Sequence, residues 1–312
     1  MYAGRLGVDA VVAAPIIAAF LLLAPVYLAA LSPSARAWVE RRWRPPQIGG
    51  GLVAVSLAPY LVYSIPLGLF QWEALAALAM MTSTAAFLFV WTPPQREGLS
   101  WQDVLLLLLL ATPVISGLGG FFQFVYPSPG DPVPRLDVLG KMLVFPLGAF
   151  AFLSLRRVEG VDLRFLPRRE DWRFALKWFL IGLPAVSLVG LGSGFVVWNP
   201  IAWDDPGALG QAAAKAFGIY LATALPEELC FRGVLLNLSE KRWGRPWLAQ
   251  AAASLLFGTV HLGSRGFPNL PFAATAAVAG WFYGSAWREG RGVVPAALTH
   301  TMTVTTWMLL FR

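Results

Sequence analysis

Ten apolar runs punctuate the chain, near residues 8–31, 52–70, 73–92, 104–126, 138–155, 174–197, 209–238, 247–263, 272–288 and 293–311. A helix needs about 20 apolar residues to cross the hydrocarbon core of a bilayer, and most of these runs approach that length. The alternation of apolar and polar positions that a membrane β-strand would show is missing. The pattern predicts an all-α fold: a polytopic membrane helix bundle of about ten transmembrane helices, with the lipid bilayer as its surroundings. Proline and glycine recur inside the runs, which membrane helices tolerate when neighbours satisfy the freed backbone groups. The first run is longer than the apolar core of a signal peptide and is followed by the basic loop "RAWVERRWR", so it reads as a retained helix.

The polar positions carry a second pattern. Loops after the first, third, fifth, seventh and ninth runs hold sixteen Lys and Arg residues, from Arg36, Arg41, Arg42 and Arg44 to Arg288 and Arg291. The other four loops hold only Arg135 and Arg265, and the one after the sixth run is acidic, "WDDPG". This asymmetry follows the positive-inside rule and predicts ten spans with both termini outside. The longest polar break, "RRVEGVDLRFLPRREDWR" at 156–173, suggests a seam between N-terminal membrane helices, 1–155, and a C-terminal core, 174–312.

Composition agrees. The chain is 57% hydrophobic and 13% charged, against roughly 25% charged in soluble domains. It reads as a multi-pass integral protein of the cell (inner) membrane. The net charge of +7 does not imply a nucleic-acid partner, because the basic residues sit in short loops between apolar runs. One cysteine, Cys230, rules out an intramolecular disulfide,.

Against this background three charges in "LPEELCFRG", 225–233, stand inside the seventh run. Each would cost at least about 2.5–3.5 kcal/mol at the bilayer centre on insertion scales. Glu228 and Arg232 are four apart, share a helical face and can pair. Glu227 is turned about 100° away and is left without a partner on its own helix. Pro226 can kink the helix beside it. A lone carboxylate there suits general acid–base work. The two histidines of the chain, His261 and His300, also lie in apolar runs. A helix bundle can bring Glu227, His261 and His300 to one cavity, where carboxylate and imidazole would activate a water. By helical rise His261 falls about 21 Å along its helix and His300 about 10 Å, a mismatch unless the eighth helix starts outside the hydrocarbon or tilts strongly.

At these residues the chain resembles a known family. "EELCFR" matches an EExxxR motif, "FGTVH" an FxxxH motif, and His300 opens a third, HxxxN. The family is the CAAX-processing and bacteriocin-processing (CPBP, Abi) group of intramembrane proteases, which includes the eukaryotic prenyl-protein endopeptidase. The resemblance covers about residues 174–312. It implies an endopeptidase cleaving a membrane-associated protein or peptide, lipid-modified or not. Glu227 would be the general base, His261 its partner, Glu228 and Arg232 the supporting pair, and His300 a substrate or oxyanion contact. The family's asparagine is here Val304, which cannot donate a hydrogen bond. Thr303, one position earlier, is a weaker candidate, since a threonine hydroxyl readily bonds its own helix.

Other readings remain open at this level. Glu227, His261 and His300 would make a two-histidine, one-carboxylate set of the kind catalytic zinc uses, although no HExxH pre-arranges two ligands. No cofactor is the favoured expectation and Zn2+ the alternative. Val304 allows a catalytically inactive membrane scaffold or immunity protein. A proton-relay transporter would also bury such charges, but it would show related halves with matched broken helices, which this chain does not. Cys230 lies close to Glu227 but has no evident activating base.

Overall fold

The structure, a computed structural model, describes residues 9–311 except 96, 116–119, 131, 132, 134, 135, 202–205 and 265. Val8, Arg96, Arg135, Arg265, Trp203, Asp204 and Asp205, counted in the runs and loops above, lie outside the described residues. The described residues are helical and turn structure, with isolated bridges and no β-strand. The chain divides into two compact units. One holds residues 1–95, 101–114 and 118–158, the other 96–100, 115–117 and 159–312.

In the first unit, α1 (Ala10–Leu31) begins where the Asp9 side chain accepts from the backbone N–H of Val11, 3.1 Å away. Such a cap satisfies a donor that the first turn leaves orphaned. Ser32 caps α2 (Pro33–Arg42) in the same way, with Pro33 in the first turn, where its missing N–H costs nothing. Then come α3 (Pro45–Ser64), α4 (Trp72–Trp91), α5 (Trp101–Ala111), α6 (Phe121–Val125) and α7 (Asp137–Ala149), the last continuing as a π-helical turn, Phe150–Leu155. The run at 104–126 is not one helix. It is α5, a break after Ala111 and the five-residue α6. Pro113, which lacks an N–H and disfavours helix in the residue before it, accounts for the break.

The second unit holds α8 (Arg169–Gly192) and then a long helical stretch that changes pitch four times. It runs as α9 (Pro206–Ile219), a π turn (Tyr220–Ala224), the single α turn α10 (Leu225–Glu228), a second π stretch (Leu229–Leu236) and α11 (Asn237–Trp243). Three helices follow: α12 (Pro246–Thr259), α13 (Leu270–Gly290) and α14 (Val293–Leu310).

Helix α13 is central, packing against α8, α12 and α14. Small residues let it approach α12: a methyl group added to Gly258 would sit 2.5 Å from the Ala273 carbonyl oxygen and 2.8 Å from Ala277 Cβ. Close backbone contact of this kind drives helix association in lipid, where apolar burial alone gives no preference. A buried polar seam joins the same two helices. Gln250 Nε2 donates to the Trp281 carbonyl (2.9 Å) and to Ser285 Oγ (2.8 Å), and Arg288 donates to Gln250 Oε1 (3.1 Å). Near the end of α13, Lys177 and Trp178 of α8 both donate to Glu289, at 2.8 and 2.7 Å.

Among the described residues six helical segments are long and apolar enough to cross a membrane: Ala10–Leu31, Pro45–Ser64, Trp72–Trp91, Asp137–Leu155, Arg169–Gly192 and Val293–Leu310. This is a multi-pass integral membrane protein. The four remaining expected spans differ in form: α5 is eleven residues, α12 fourteen, the seventh run is broken by π turns, and α13, at 21 residues, is long enough but not among the six apolar enough to cross.

Candidate active site

The site is built around Pro226. A proline inside a helix removes one backbone donor and crowds the preceding turn. Here helix continuity survives because the pitch widens on both sides, through Tyr220–Ala224 and Leu229–Leu236. Single π turns are frequent at functional sites; two of them bracket the turn that carries Glu227 and Glu228.

Glu228 is fully buried and so is Arg232, each at 0% exposure. Arg232 Nη1 donates to Glu228 Oε1 at 3.0 Å, the pair expected from their four-residue spacing. Arg232 Nη2 donates to the Gly280 carbonyl on α13 at 2.8 Å. The guanidinium also lies over the Phe257 ring, 4.6 Å from its centroid, and nearer its limit over Tyr283 at 5.4 Å, within the range where a cation is drawn to an aromatic face. A methyl group at Gly280 would stand 2.9 Å from Arg232 Nη2. Glycine is therefore what lets the guanidinium reach the backbone of α13.

The same Glu228 oxygen takes a second partner. His300 Nδ1 is 3.0 Å from Oε1. A carboxylate only accepts, so Nδ1 carries the proton and Nε2 is the nitrogen left for other chemistry. His300 is 4% exposed. Tyr283 lies parallel to its ring, with centroids 4.6 Å apart and planes at 12°, and Phe257 meets it edge-on at 5.7 Å. Arg232, Glu228 and His300 thus form one chain across three helical segments.

His261 is not on α12. That helix ends at Thr259, and His261 lies in the turn beyond it. The fourteen-residue helix that leads to it still spans about 20 Å at 1.5 Å per residue, so ending at Thr259 does not remove the depth mismatch read from helical rise. Its Nδ1 is 2.7 Å from the Phe257 carbonyl oxygen, so again Nδ1 bears the proton and Nε2 is left over. The rings of Phe257 and Phe272 flank it at 4.9 and 4.7 Å. Glu227, beside Glu228 in α10, is half-buried, and its Oε2, like Oε2 of Glu228, is enclosed with no hydrogen-bond partner among the described residues. A buried carboxylate oxygen left in that state costs free energy unless something polar comes to it.

Thr303 donates its hydroxyl proton to the Thr299 carbonyl at 2.9 Å. That hydroxyl is bonded back to its own helix. Among the described residues no three His, Cys, Asp or Glu side chains gather closely enough to hold a metal ion. As they stand, Glu227, His261 and His300 do not make a three-ligand set.

Residues 210–306 match the Rce1-like family of type II CAAX prenyl endopeptidases. No curated protein and no solved structure matches the chain. The Rce1-like segment spans about a third of the sequence and contains Glu227, Glu228, Arg232, His261 and His300. It agrees with the motifs EExxxR and FxxxH, and it supports protease activity in the membrane. Motif reading missed Tyr283 and Gly280, because α13 carries no motif. One signal was present: Ala276, Gly280 and Gly284 form a small-residue stripe at four-residue spacing, the mark of a close helix contact, with Tyr283 beside it.

Proposed function

We propose that this protein is an intramembrane endopeptidase acting on a membrane-associated protein or peptide, with a prenylated CAAX-type C-terminus as the first substrate class to try. The observation that carries the reading is the contrast inside one helical turn. Glu228 is committed through Oε1 to Arg232 and His300, while its neighbour Glu227 makes no ion pair or hydrogen bond among the described residues; each keeps an enclosed Oε2 with no partner. A group that costs stability and forms no structural bond is a candidate for chemistry.

In this reading Glu227 accepts a proton from water as the water oxygen attacks the scissile carbonyl carbon. The tetrahedral oxyanion then collapses. The carbon–nitrogen bond breaks, and the leaving amine takes the proton back from Glu227. His261 shares the water through Nε2, its ring held by the Phe257 carbonyl. His300 contacts the substrate oxygen through its Nε2 side, with Glu228 facing Nδ1–H. Val304 offers no donor, so His300 and backbone N–H groups carry the oxyanion. In this reading the step is metal-free, and a chelator is expected to leave the rate unchanged.

We also place the protein in the cell membrane with ten crossings and both termini outside, on the strength of loop charge. Thiol labelling of cysteines introduced at Trp38 and at Asn269 tests this, since they should face opposite sides.

The decisive test is cleavage of a farnesylated CAAX tetrapeptide by the full chain in liposomes. Wild type should cleave it and Glu227→Gln should not, with both proteins equally folded. Cleavage by Glu227→Gln at the wild-type rate would end the reading. An inert wild type beside an unaltered phenotype in Glu227→Gln cells would favour the scaffold, which Val304 keeps in view.

A further inference from the structure

The imidazole of His300 has a soft torsion about its last side-chain bond, because rotations of this type have broad minima. Glu228 fixes one atom of the ring, Nδ1, at 3.0 Å. One hydrogen bond leaves the ring plane free to swing about it. The plane is set by something else: Tyr283 covers one face of the ring at 4.6 Å and 12°. Phe257 supplies only an edge, at 5.7 Å and 90°. Tyr283 is itself 2% exposed and packs with Phe257, Ala276 and Ala279. It sits one turn after Gly280, whose carbonyl takes Arg232. Helix α13 therefore grips both ends of the chain Arg232–Glu228–His300, by a carbonyl at one end and an aromatic plate at the other.

We infer that Tyr283 is a positioning residue: it fixes the plane of His300 so that Nδ1–H stays on Glu228 and Nε2 stays aimed at the substrate. The ring face does this work; the hydroxyl's own partner is the Thr303 side chain, not His300. The inference rests on the proposed function only for its consequence on turnover. Its structural half stands alone.

The two histidines of the chain make a direct test possible. Full-length protein labelled with 15N in histidine alone gives two ring systems, assigned with His261→Gln. Each Nδ1–H is held by a buried acceptor in wild type, Glu228 for His300 and Phe257 for His261, so both should give a directly bonded 15N–1H signal in detergent micelles. Tyr283→Leu, and the longer Tyr283→Met in case the first does not fold, should lose the His300 signal and keep that of His261. Tyr283→Phe should keep both. On the farnesylated CAAX tetrapeptide, kcat should fall about tenfold in the Leu and Met variants, the scale of a small misplacement, with KM unchanged and recovery in Phe.

Retention of the His300 signal in both Leu and Met variants overturns the inference. So does loss of both histidine signals, which would mean a loosened fold and not a loosened ring. Loss of the His300 signal with unchanged kcat upholds the positioning and overturns the role given to His300 in turnover. If wild type does not cleave the peptide, the proposed activity is at fault and the signals still decide the role of Tyr283.

Discussion

Each unit of this chain buries an arginine beside a carboxylate, and the two settings differ in what stands next to the pair. In the first unit Arg156 Nε lies 3.1 Å from Asp103 Oδ1, with Asp103 fully enclosed and Arg156 10% exposed. In the second, Arg232 and Glu228 are 3.0 Å apart and equally enclosed. By distance and burial the two pairs look alike. Beside Glu228, however, stand a second acid, Glu227, with no ion pair among the described residues, a histidine on the same carboxylate, and a helix that changes pitch. A buried ion pair alone is weak ground for a functional claim, since such pairs often contribute little net stability. The unmatched third charge distinguishes a site from a clamp.

That comparison can be broken most sharply at the paired glutamates. Glu227→Gln should lower kcat by about 10²–10⁴-fold, the usual worth of a general base, without lowering the melting temperature. Equal loss of activity and stability would put Glu227 in the clamp. Next in size is the clamp itself. Arg232→Met leaves Glu228 enclosed and uncompensated, which should cost about 3–5 kcal/mol, read as a melting shift in detergent. Arg156→Met should destabilise the first unit on the same scale, yet leave the kcat of the surviving folded protein near wild type. If Arg156→Met abolished turnover in folded protein, the two pairs would not differ as argued. A smaller effect is expected at Gly280. A methyl group 2.9 Å from Arg232 Nη2 forces the guanidinium aside, and Gly280→Ala should cost about 1–3 kcal/mol as overpacking does. Its kcat should fall through the disturbed Glu228–His300 contact. Smallest is Thr303→Val. Its hydroxyl is spent on the Thr299 carbonyl and on the Tyr283 hydroxyl, so cleavage should stay close to the wild-type rate. A large loss would return Thr303 to the oxyanion.

The legible part of the site was the part encoded locally. Glu228 and Arg232 meet because four residues make one helical turn, and that holds in the structure at 3.0 Å. Likewise Glu227 was left over by the same geometry: no ion pair reaches it among the described residues, although Oε2 of both glutamates is enclosed without a partner. The contact between His300 and Glu228 spans 72 residues, and no periodicity reports it. Tyr283 was hidden for a different reason: an aromatic residue in an apolar run looks like any other core residue until its neighbour is known. His261 was misplaced because an apolar run does not mark where a helix stops. The backbone turns after Thr259 while the sequence stays apolar.

By itself the sequence determined the solvent and the cast. Lipid cannot hydrogen-bond a backbone, so long apolar runs must become helices, and charges kept within them must be paired or used. The tertiary structure decided which acid is tied to a histidine as well as an arginine and which is left with neither. It also widened the helix around Pro226 and set an aromatic plate against His300. These outcomes depend on which helices touch, and packing between helices is a property of three-dimensional contact that no spacing along one chain can specify.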